Sequence, residues 1–188
     1  MFRKKKNTQP GGEVRIISGE YKGRKIKTPG GNTHPMGERE RNAIFNAIGD
    51  QIYGAFVMDL YAGSGAIGIE ALSRGANFVL FIDKDPRAVD TINENLRNLG
   101  ISPFQGGAIQ SDINLAARTA TDRYPIVIAD PPYDEYDPKI AKSLARLLSP
   151  YGALILSHPG EPVEIKGLKL LKTSKYANCH ISFYQKMD

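Results

Sequence analysis

The chain has 188 residues and 41% hydrophobic residues, which suits one globular domain and excludes a disordered composition. It carries a net charge of +5 and one cysteine, Cys179, so no intrachain disulfide is possible and a reducing, cytoplasmic setting is expected. No apolar run reaches the roughly 18 residues of a membrane span, and the basic start MFRKKKNTQPGG lacks the apolar stretch of a secretory signal.

The charge is uneven. Residues 1–29 carry +7, with Arg3, Lys4, Lys5, Lys6, Arg15, Lys22, Arg24, Lys25 and Lys27 against Glu13 and Glu20, so the rest carries −2. A local cluster of this kind attracts phosphate backbones. For residues 3–6 a solubilising tail explains the charge equally well. The later cations lie in a patterned segment.

In chain order, VRIISG and RKIKTP read as two short strands around a bend at Gly19 and Gly23, displaying Tyr21 among basic side chains. GERERNAIFNAIGD reads as a helix with Ala43, Ile44, Ala47 and Ile48 at helical spacing and Gly49 as its stop. Arg39 and Arg41 either face a site or form pairs on a solvated face. Residues 1–50 are thus expected to form a basic extension, and 51–188 a second unit.

From Ala55 the rhythm is strand–helix alternation. AFVMDLYA, NFVLFID, FQGGAIQSD, PIVIAD and ALILSH read as strands. SGAIGIEALSRG, PRAVDTINENLRNLG, INLAARTAT and DPKIAKSLARLLSPYG read as the helices that follow the first four. Such units predict an α/β fold with a mostly parallel, doubly wound sheet. LKLLKTSKY and ANCHISFYQK are separated by only a short turn, so this closing pair must be antiparallel.

Two constellations carry chemistry. In DLYAGSGAIG, Gly63, Gly65 and Gly68 form G-x-G-x-x-G between a strand and a helix, and Asp83 ends the next strand 20 residues after Gly63. That pattern suits a nucleoside cofactor, with Tyr61, Ser64, Lys84 and Ile113 as further candidate contacts. Asp59 argues against a dinucleotide, because a carboxylate there repels a pyrophosphate. It suits the cationic methionine end of S-adenosylmethionine. Asp112 stands between two roles, an acceptor for the adenine amine and an N-cap for the helix after it.

The second constellation is IADPPYDEY, residues 128–136, at the end of the fourth strand of this unit. In a doubly wound sheet it faces the glycine loop. The Asp130 carboxylate and the Pro131 carbonyl suit the N–H groups of a base's exocyclic amine, Pro132 stiffens the turn, and Tyr133 suits stacking on a flipped base. No His/Cys cluster suggests a metal. His158, at the same edge, reads as a hydrogen-bonded residue rather than a general base.

DLYAGSGAIGIEALSRGA with ADPPY resembles the class I S-adenosylmethionine-dependent methyltransferases that act on exocyclic amines, whose signature [DNS]-P-P-[YFW] is matched by Asp130 to Tyr133. More narrowly, RIISGEYKGRKIKTP, ERERNAIFNAI and YANCHISFYQK resemble segments of the RsmD-type 16S rRNA (guanine-N2)-methyltransferases. The resemblance implies a Rossmann-like fold and S-adenosyl-L-methionine as cofactor. It places cofactor and target contacts at Asp59, Gly63, Gly65, Asp83, Asp112 and Asp130 to Tyr133. It also implies ribosomal RNA or an assembling small subunit as partner, gripped through Arg15, Tyr21, Lys22, Arg24, Lys25, Lys27 and Arg39. A monomer without membrane contact is expected. The chain departs from the family pattern at His34-Pro35-Met36, Asn42 and Tyr176-Ala177, in RNA-facing segments and fold edges. Competing expectations are an adenine-N6 methyltransferase, an NAD-dependent oxidoreductase and a non-catalytic RNA-binding protein.

Overall fold

The computed structural model describes residues 11–31 and 35–188, so the basic run 3–6 and His34 lie outside the described residues. Seven strands form the main sheet in the order β5-β4-β3-β6-β7-β9-β8. They are β3 (Phe56–Leu60), β4 (Phe78–Asp83), β5 (Gly106–Gln110), β6 (Tyr124–Ala129), β7 (Leu148–His158), β8 (Leu168–Lys175) and β9 (His180–Lys186). The first five run parallel; β9 is antiparallel to both β7 and β8. The order reverses between β3 and β6, and ligands bind outside the carboxyl ends at such a switch point. The expected mixed α/β architecture is borne out.

Helices α2 (Ala66–Ser73), α3 (Pro86–Leu99), α4 (Ile113–Thr119) and α5 (Lys139–Leu144) cover the sheet, with a buried apolar cluster on each face. The central strands read as continuous apolar runs because both faces are covered. The helix expected to run to Gly152 stops earlier. Residues 145–147 tighten into a 3₁₀ turn, and Leu148 to Tyr151 already belong to β7. Tyr151 takes a left-handed backbone (φ 58°), and the register with β6 shifts there, so SPYG is a strand irregularity.

The N-terminal hairpin pairs β1 (Glu13–Arg15) with β2 (Lys25–Lys27) and is docked on the main unit. Ile16, Tyr21 and Ile26 join the same apolar cluster as Val57, Ile69 and Phe81. The docking is also polar. Glu70, fully buried on α2, accepts from the amides of Ile17 (2.8 Å) and Ser18 (3.0 Å) and from Arg74 Nε (2.8 Å). Ser73 Oγ accepts from the Tyr21 amide at 2.9 Å. Buried carboxylates need such partners. Tyr21 is therefore only 9% exposed, which corrects its expected display towards RNA.

Helix α1 (Glu38–Ile48) buries Arg41, Ile44, Phe45 and Ile48, whereas Ala47 is exposed. Arg41, 1% exposed, takes neither expected role: its guanidinium donates to the carbonyls of Met36 (2.9 Å) and Arg15 (2.8 Å), tying α1 to the hairpin. Among the described residues no helix is long and apolar enough to cross a membrane.

Candidate active site

The glycine loop joins β3 to α2. Gly63 and Gly65 have positive φ (55° and 78°), and so does Tyr61 (59°), where a side chain makes the conformation costly. Gly68 is required for packing: a Cβ would lie 2.2 Å from Phe81 Cε1, overlapping the ring on β4. The loop is held by the candidate acids. Asp83 Oδ2 accepts from the Gly63 amide at 2.8 Å, and its Oδ1 from the Asp85 amide at 2.9 Å. Asp59, 1% exposed, accepts from the Gly68 amide at 2.9 Å in the first turn of α2. Burial pushes its pKa well above the carboxylate range, and the charges of Asp130 and Asp83 add to that.

The other predicted cofactor contacts separate. Tyr61 lies near Asp112 and Glu135, and burial pushes its hydroxyl up to about 12. Asp112 caps α4, accepting from the Leu115 amide at 3.1 Å, so the capping role is realised. Ser64 and Ile113 are buried. Lys84 forms an ion pair with Glu135, joining the end of β4 to the turn within the second constellation.

That constellation leaves β6 at Asp130, between the ends of β3 and β7. Pro131 is buried, and Pro132 opens a turn in which its carbonyl accepts from the Glu135 amide at 3.0 Å. Asp130 is half-buried, and burial raises its pKa to about 6, opposed by the Ser157 hydroxyl. Tyr133 Oη lies 2.6 Å from Ser157 Oγ. Burial raises the phenol's pKa, and the charge of Asp130 adds to that. Cys179 is buried and adjoins both Tyr133 and Ser157. His158 is buried and hydrogen-bonds Ser182 Oγ through Nε2 (2.7 Å), and burial lowers its pKa. It is the hydrogen-bonded residue expected.

Asp59, Asp83 and Asp130 thus converge at one sheet edge, close enough for Asp59 to feel both other charges. Among the described residues none of them has an ion-pair partner. A polar edge of this sign fits a cationic ligand and disfavours a pyrophosphate. Among the described residues no group of three or more His, Cys, Asp and Glu side chains is placed to hold a metal.

The hairpin cations are exposed but mostly paired. Arg15 bridges Glu38 (3.3 Å), Lys25 bridges Glu13 (2.9 Å) and Lys27 bridges Glu94 (2.5 Å). Arg24 donates to the Asn98 carbonyl at 3.1 Å, and Lys22 is exposed. Arg39 is exposed on the first turn of α1, its guanidinium 5.9 Å from the Tyr176 ring centroid, at the β8–β9 turn that carries Cys179.

Residues 14–185 match the family model described as "Conserved hypothetical protein 95". The chain belongs to this family. It is 32% identical to "Putative rRNA methyltransferase YlbH" of Bacillus subtilis over 92% of this chain and 99% of that protein. It is 35% identical to "Ribosomal RNA small subunit methyltransferase D" of Escherichia coli K12 over 69% of this chain and 65% of that protein. Among solved structures, "Putative methyltransferase yhhF from Escherichia coli" superposes with a TM-score of 0.84 at 25% identity, covering 94% of this chain and 99% of the other. The resemblance carried by the two motifs holds across the fold.

Three residues of the site escape a reading of the sequence: Ser157, Cys179 and Asn95. Asn95, 1% exposed on α3, donates to the carbonyls of Lys27 (2.9 Å) and Ser64 (3.0 Å) and accepts from the Lys27 amide (2.9 Å). It links the hairpin to the glycine loop. For Ser157 the one signal in the sequence is a polar residue at the carboxyl end of an otherwise apolar strand.

Proposed function

We propose that this chain methylates the exocyclic N2 amine of a guanine in small-subunit (16S) ribosomal RNA, with S-adenosylmethionine as methyl donor. The observation that carries this reading is the Asp130 carboxylate, half-buried beside Tyr133 at the switch point and close to the acids of the glycine loop. The names of the rRNA methyltransferases it resembles support ribosomal RNA as the substrate class.

When bound, S-adenosylmethionine supplies a methyl group activated by its sulfonium. Asp83 and the loop amides hold the nucleoside end, and Asp59 fixes the first turn of α2 beneath the loop through the Gly68 amide. An exocyclic amine is a poor nucleophile, because its lone pair is delocalised into the ring. Asp130 and the Pro131 carbonyl accept its two N–H groups, turn the lone pair towards the methyl group and stabilise the positive charge that develops on nitrogen. The Tyr133 ring packs against the base. The methylated nitrogen then passes its extra proton to solvent, leaving the neutral methylated base and S-adenosylhomocysteine.

The hairpin cations and Arg39 contact the phosphate backbone, exchanging their intramolecular acids for phosphates. The chain works as a cytoplasmic monomer on ribosomal RNA or an assembling small subunit. Calorimetry tests the cofactor: S-adenosylhomocysteine is expected to bind and NAD not to, and binding of NAD alone would overturn the reading. Replacing Arg24, Lys25 and Lys27 by alanine should weaken RNA binding and lower its salt slope by about 0.7 to 0.9 for each phosphate no longer neutralised. An unchanged slope would remove the hairpin from the interface.

A further inference from the structure

Ser157 is the penultimate residue of β7 and is 1% exposed. The parallel register pairs Ala129 with Leu156, which brings the next residues, Asp130 and Ser157, side by side. The Ser157 hydroxyl lies 2.6 Å from Tyr133 Oη, on the strand position next to the Asp130 carboxylate. On its other side, β7 pairs with β9, where Ser157 faces Ile181, and the Cys179 thiol adjoins the same two hydroxyls.

A serine hydroxyl has one proton and accepts through its lone pairs. An ionised carboxylate only accepts. With the Ser157 O–H turned towards the Asp130 carboxylate, the Tyr133 O–H donates to Ser157 Oγ. We propose that Ser157 is a positioning residue that locks the Asp130 carboxylate and the Tyr133 ring into one unit through the chain Tyr133 O–H to Ser157 O–H to Asp130. Loss of the serine frees a carboxylate and a ring that must meet the same base. This role rests on the reading that Asp130 receives the amine.

The chain of hydroxyls also acts on the charge of Asp130. A hydrogen bond to the ionised form favours that form, so Ser157 opposes the effect of burial. A merely structural serine would leave the Asp130 titration where it is.

The test is the pH profile of kcat/KM for methyl transfer to small-subunit RNA, with wild type, Ser157→Ala, Tyr133→Phe and the double variant. The acid limb of the wild type should fall near pH 6, the raised value of Asp130. In Ser157→Ala it should move upward by about half to one pH unit, with kcat lowered about tenfold. Tyr133→Phe should move it the same way by less, because the serine proton loses its orientation. The double variant should move no further than Ser157→Ala, since both act on one bond. Ser157→Thr, which keeps the hydroxyl, should restore the limb.

A limb unmoved in Ser157→Ala, whatever happens to kcat, would overturn the proposal, as would additive shifts in the double variant. Should Ser157→Ala not fold, Tyr133→Phe and Ser157→Thr carry the same test. Near-normal turnover of Asp130→Asn would instead remove the role of Asp130 itself, so the two failures are told apart.

Discussion

Asp83 and Asp130 end strands of the same sheet, at the same edge, yet the protein treats them differently. Asp83 gives each carboxylate oxygen a backbone amide, Gly63 to one and Asp85 to the other. Asp130 is held by a serine hydroxyl, and its pKa is raised to about 6. The cofactor half of the edge is assembled in advance by its own backbone, with Asn95 fastening the glycine loop to the hairpin. The substrate half keeps a half-buried carboxylate beside one hydroxyl, with lone pairs left for an arriving donor. Rigidity on one side and an unmet demand for hydrogen bonds on the other are what amine activation requires.

The largest effect should come from Asp130→Asn. Turnover should fall by a factor on the order of 100 to 1000, while affinity for S-adenosylhomocysteine survives. The variant should also be more stable. Asp130 has a raised carboxyl pKa, so its charge costs stability above about pH 6, and that cost disappears as pH falls towards the ordinary value of 3.8. At pH 8 the gain should be about 1 to 3 kcal/mol in denaturant unfolding, shrinking towards pH 5. A destabilised Asp130→Asn would erase the contrast between the two acids.

Asp83→Ala should do the reverse. Two amides lose their acceptor, so stability should drop by about 1 to 3 kcal/mol. Cofactor affinity should fall about 10- to 100-fold in calorimetry, with kcat at saturating cofactor little changed. A loss of kcat without loss of affinity would contradict the division of labour. A smaller effect is expected from Arg39→Ala, at the rim of the substrate half. Removing its cation and its stacking over Tyr176 should weaken RNA binding about fivefold, leaving cofactor affinity unchanged.

Much of this is legible in the sequence. The glycine loop, Asp83 at its distance of 20 residues and the DPPY turn are local patterns, each set by the geometry of one strand–helix connection. The strands are readable because both sheet faces are covered. What is not legible depends on elements far apart in the chain. Ser157 meets Asp130 only because β7 lies beside β6, and Cys179 joins them only because β9 inserts between β7 and β8. Tyr21 reads as an exposed turn residue because its partner Ser73, 52 residues away, is on a helix the hairpin pattern does not reveal. The hairpin charges look like an open basic patch, but Glu38 and Glu94 come from α1 and α3.

The amine-activating role of Asp130 is tested most directly by nucleoside mass spectrometry of small-subunit RNA incubated with the purified protein and S-adenosylmethionine. N2-methylguanosine is expected with the wild-type chain and none with Asp130→Asn. N6-methyladenosine in its place, or equal methylation by both proteins, would contradict that role.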